Sequence, residues 1–142
     1  MFPSVNYLKD LALYSKLTKD LIVFVPQIYK KDVNYYSIFY SFTKVLDNIR
    51  YRSIEEASSG KTNFRIMLFD NCAFTFFNDN KTVSSETTKE ILHKKINNII
   101  LKKSEMIVSI LDRFGYNVVL DIIDDEYNIC SKKIFIRFNL ED

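Results

Sequence analysis

The chain has 142 residues, 47% of them hydrophobic and 27% charged, with a formal net charge of +2. That is enough apolar material for one domain spanning residues 1–142, with a core that needs neither disulfide nor metal staples. So small a charge excludes a strong overall field for nucleic acid or anionic membrane, and it excludes an acidic DNA mimic.

The two cysteines, Cys72 and Cys130, stand in apolar runs without CxxC or Cys/His spacing, which predicts reduced core thiols and no zinc site. The opening MFPSVNYLKD lacks the profile of a secretory leader. The longest apolar run, residues 21–25, is too short to cross a membrane. The expectation is a cytoplasmic protein, host cytoplasm included, with no membrane partner. Ile, Lys, Asn, Phe and Tyr, whose codons are AT-rich, far outnumber the two Gly and two Pro. That bias points to an AT-rich genome such as that of a phage, a large DNA virus or a low-GC bacterium, and it carries no mechanism.

Taken in order, Ser4 opens a helical pattern carried by Val5, Leu8, Leu11, Ala12 and residues 14–17, ending near residue 19. Residues 21–25 are β-branched and aromatic and suit either a short strand or an extension of that helix, which Pro26 ends in both cases. From Asp32, a credible N-cap, Tyr35, Phe39, Phe42, Leu46 and Ile49 recur at helical spacing and predict a helix stopped by Gly60.

Residues 64–69 and 72–77 are rich in strand formers and meet at Asp70-Asn71, which predicts a hairpin. A second hairpin is predicted from residues 117–123 and 132–140, with Val118, Leu120, Ile122, Ile134, Ile136 and Phe138 facing inward. Between the hairpins, residues 87–114 read as one long amphipathic helix, with a capping box of Thr87 and Glu90 at its start and Gly115 at its end. Leu92, Ile96, Ile99, Ile100, Met106, Ile107, Ile110, Leu111 and Phe114 share an arc of about 140°. Lys103 projects into the middle of it. Either the helix restarts at Ser104 or the ammonium extends to water, with a buried lysine that finds a partner as the third choice. Unbroken, the helix would span roughly 40 Å and overhang a compact domain, which predicts a homodimer. The economical packing is an α+β fold: a four-stranded antiparallel sheet built from two β-hairpins, packed against the long central helix with additional N-terminal helices.

Chemical motifs fail on inspection. Ser58-Ser59-Gly60-Lys61-Thr62 ends like a phosphate-binding loop, but Glu55 stands where its first glycine belongs, and the segment leaves a helix for a strand. Asp70 and Asp79 imitate a nuclease pair, yet roughly 25 Å of strand separates them. Asp121, Asp124, Asp125 and Glu126 could hold a cation or a basic partner but lack calcium-loop spacing, so a metal-dependent activity is the third choice. His93, the only histidine, borders the apolar arc and reads as a surface residue. No catalytic, cofactor-binding or metal-binding set emerges.

Two surfaces remain. Tyr36, Tyr40 and Tyr51, with Lys44, lie away from the core-facing set and form a tyrosine row suited to a protein partner, unless another helix buries it. Lys95, Lys102 and Arg113 line one flank of the long helix and could follow phosphates, diluted by Glu105 and Asp112. The favoured expectation is a small non-enzymatic protein that binds another protein, as an adaptor, an immunity-type protein or a phage or viral inhibitor does. The alternative is a nucleic-acid-binding protein using the basic stripe.

Overall fold

The computed structural model describes residues 2–24, 37–70, 77–78, 81–82, 86–124 and 132–141. Helix α1, Val5–Phe24, is capped by Ser4, whose Oγ accepts from the Tyr7 amide at 3.1 Å. It runs on through residues 21–24, so the ambiguous segment continues the helix, and Tyr14, Leu17 and Leu21 form its buried face. Pro26, Asp32 and both cysteines lie outside the described residues.

The second helix starts later than Asp32. A 3₁₀ turn at Ser37–Phe39 buries Ile38, and Ser41 then takes the cap position, accepting from the Lys44 amide at 3.2 Å. Helix α2, Phe42–Ser58, buries Phe42, Val45 and Ile49. It ends at Gly60, whose φ of +93° a side-chain-bearing residue rarely adopts.

Three of the remaining strands form one antiparallel sheet. Strand β1 is Asn63–Asp70, and two short strands, β2 at Phe77–Asn78 and β3 at Lys81–Thr82, pair with each other. Strands β4, Asn117–Asp124, and β5, Lys132–Asn139, form the expected second hairpin, with Val118 opposite Phe138, Leu120 opposite Ile136 and Ile122 opposite Ile134.

The expected four-stranded sheet is corrected: among the described residues the sheet has three strands in the order β1-β5-β4, with β1 paired to β5. Residues 72–76, expected to complete the first hairpin, lie outside the described residues. Register with β5 stacks Phe64 on Phe138 at 5.2 Å and sets Ile66 opposite Ile136. Those buried cross-strand pairs offset the closure entropy of joining segments so far apart in the chain. An extra residue, Leu68, interrupts the β1 ladder between Met67 and Phe69, so both Leu68 and Phe69 are buried.

Helix α3, Glu86–Arg113, is continuous over 28 residues, or about 42 Å at 1.5 Å per residue. There is no restart at Ser104, whose hydroxyl instead donates to the Ile100 carbonyl at 2.6 Å within the helix. The side chains of Thr87, Glu90, Leu92 and His93 fall outside the described set. Ile96, Ile99, Ile100, Ile107 and Ile110 meet the inner sheet residues Phe64, Ile66, Leu68, Val118, Ile134, Ile136 and Phe138 in one core, and α1 packs along α3. The class is α+β. Among the described residues no helix is long and apolar enough to cross a membrane.

Candidate functional site

The helical wheel places Lys103 inside the core, and it is there: the residue is fully buried. It neither reaches water nor breaks its helix. Its Nζ donates to Thr18 Oγ1 at 2.5 Å and to the Ile38 carbonyl at 2.7 Å, and it lies 4.4 Å from the centroid of the Tyr14 ring. The Thr18 hydroxyl donates to the Tyr14 carbonyl at 3.1 Å, which leaves its oxygen free to accept. One ammonium thus ties α1 and the 3₁₀ turn to α3. Burial pushes its pKa down to about 7, because neutral acceptors and a ring face replace hydration only in part. The same burial pushes the Tyr14 phenol up.

At the far end of α3 the apolar arc emerges from the fold. Gly115, with φ +90°, closes the helix: its amide donates to the Asp112 carbonyl at 2.9 Å and the Tyr116 amide to that of Leu111 at 3.1 Å. This turn leaves Phe114 74% exposed and folds Tyr116 back over Phe138, edge to face at 5.8 Å. Facing them, α2 presents Leu46, Ile49, Arg50, Ser53 and Ile54. Between the two walls lies a cleft of about 460 Å³ with Phe138 in its lining. Ile54 is 56% exposed and Tyr51, one helical turn away on the same side, 64%. The result is an uncovered aromatic and aliphatic surface with an Arg and a Ser at its margin.

The structure distributes the expected site residues unevenly. Tyr51 borders this surface. Tyr40 sits in the bend before α2, half-buried against the core, with Lys44 Nζ 3.9 Å from its ring centroid. Tyr36 lies outside the described residues. On the basic flank, Lys95 and Lys102 are exposed, and Lys102 borders a groove of about 490 Å³ together with Asp10, Glu105 and Met106. Arg113 is paired with Asp10, at 2.6 Å. Asp121 and Asp124 are paired with Arg137 and Lys132 of the neighbouring strand, each at 2.6 Å, while Asp125 and Glu126 fall outside the described residues. In the loop resembling a phosphate cradle, Lys61 pairs with Glu56 at 2.7 Å and Thr62 donates to Glu141 at 2.9 Å.

Ile54, Phe114 and Tyr116 were the residues that sequence reasoning did not assign to a surface. Phe114 belonged to the core arc by angle, and only its position beside Gly115, past the last turn, signalled that the arc outruns the sheet beneath it. The chain matches no protein-family model, no curated protein and no solved structure.

Proposed function

We propose that this protein is a non-enzymatic binding protein that acts by protein–protein contact, as an adaptor or inhibitor does, and that it works as a homodimer. The observation that carries the reading is the cleft between α2 and the end of α3, flanked by the exposed side chains of Ile54, Phe114 and Tyr116. Aromatic residues offer large area with few rotors, and a concave apolar centre with a polar margin is the usual anatomy of a contact surface. The dimer rests on the uninterrupted length of α3, whose apolar arc its own chain leaves uncovered at Phe114.

The test is affinity capture from the native host with the wild-type chain and with Ile54→Glu and Phe114→Glu. Both positions are exposed, so circular dichroism is expected to be unchanged, while a retained protein is lost from both variants. Equal retention by all three chains, or none by the wild type, overturns the reading.

A further inference from the structure

Strand β4 has the sequence of an interior strand and the position of an edge. Its run Val118, Val119, Leu120, Ile122, Ile123 is nearly all apolar, the pattern of a strand covered on both faces with neighbours on both sides. Among the described residues only β5 pairs with it, and Val119, Ile122 and Ile123 are 53%, 46% and 39% exposed. Edges are ordinarily blunted by lysine, proline, shortness or a bulge. None of these protects β4, which is eight residues long. Its central charge, Asp121, is tied back to Arg137 of β5 at 2.6 Å. The opposite edge strand, β1, is interrupted at Leu68.

We infer that β4 pairs antiparallel with β4 of a second copy across a two-fold axis, joining two three-stranded sheets into one of six. This inference rests on reading the chain as a homodimer and places the contact at β4 rather than at the end of α3, whose cleft is left to the protein partner. Charge and coverage select the register. With Leu120 opposite its own copy, Val118 faces Ile122, Val119 faces Asp121 and Asn117 faces Ile123. One step along, two Asp121 carboxylates stand opposite each other, which is repulsive. One step the other way, Ile123 is left beyond the ladder. The two-fold makes the contact self-complementary and closed.

A pair of substitutions at one position tests this register. Within the chain Val119 stands opposite Arg137, so Val119→Glu gains an intrachain partner yet faces Asp121 of the second copy. Val119→Lys removes the same apolar area but meets that carboxylate favourably. Sedimentation equilibrium is expected to show a wild-type dimer, a dimer Kd raised at least tenfold by V119E, and a smaller change for V119K. In a Cys72→Ser, Cys130→Ser background, Leu120→Cys is expected to form a disulfide-linked dimer on mild oxidation, since facing strand residues lie within bridging distance. A dimer affected equally by V119E and V119K, with no Leu120→Cys cross-link, overturns the β4 contact and leaves dimerisation standing. A wild-type monomer up to hundred-micromolar concentration overturns both.

Discussion

Lys103 Nζ lies 4.4 Å from the centroid of the Tyr14 ring, while the hydroxyl of that ring is buried without a hydrogen bond among the described residues. The ring face helps solvate the ammonium, and the phenol oxygen gains nothing from the contact. The two side chains therefore make separable predictions.

For Lys103 the sign follows from linkage. Its pKa falls from 10.5 in the free side chain to about 7 in the fold, so folding releases a proton between those values. The stability is whole above the unfolded pKa and is lost as pH falls toward the folded one. From pH 9 down to pH 7 the wild type is expected to lose about 2 kcal/mol relative to Lys103→Met, whose stability lacks this term. Urea midpoints at several pH values measure it. Parallel curves for the two proteins would refute the assignment.

Tyr14→Phe keeps the ring that packs on Phe42 at 4.7 Å and faces Lys103, and it deletes the buried hydroxyl. An unbonded buried hydroxyl costs on the order of 1 kcal/mol or more, so this variant is expected to be more stable by about that much. A loss of stability in urea would instead reveal a partner for the hydroxyl.

Gly115→Ala isolates the backbone. No atom lies within 4 Å of where its Cβ would sit, yet φ is +90°. The expected cost is about 1 kcal/mol of strain with no steric term, read as a lower melting temperature without altered packing. Loss of several times that value would mean the new methyl group meets an obstacle.

The basic flank of α3 is expected to be inert toward nucleic acid at physiological salt, because Arg113 is engaged by Asp10 and Glu105 stands beside Lys102. Gel shift with labelled duplex and single-stranded DNA measures this. A shift that weakens steeply with salt and disappears in Lys95→Glu or Lys102→Glu would reinstate the stripe as the functional surface.

The second hairpin and the long helix were legible because each is written in local periodicity. Alternation names Val118 and Leu120 as inner residues without reference to any distant residue, but Ile122, expected inside with them, is 46% exposed. The wheel set Lys103 at the centre of the apolar arc, yet neither outcome favoured for it, a helix restart or an ammonium in water, occurs. What local pattern cannot carry is the identity of a partner far along the chain. β1 reads as half of a hairpin because Asp70-Asn71 follows it, whereas the partner it has among the described residues is β5, with Ile136 and Phe138 opposite Ile66 and Phe64. Thr18 and Ile38, which hold the Lys103 ammonium, lie 85 and 65 residues from it in sequence. The start of α2 was misplaced for a smaller reason. Asp32 and Ser41 are both competent caps, and the aromatic run between them resembles helix and strand equally. The cleft itself was not legible, because exposure at Phe114 and Ile54 depends on where the sheet stops; Tyr51, one helical turn from Ile54, is not among its lining residues.

The single inserted residue at Leu68 also bears on stoichiometry. A flat three-stranded ribbon offers two similar margins, and a chain sticky at both would keep adding neighbours until it became a filament. Here the β1 margin is interrupted at Leu68 while the β4 ladder is regular. Under the proposed two-fold contact the regular margin would be consumed in both chains, and a lone backbone insertion would hold growth at a pair.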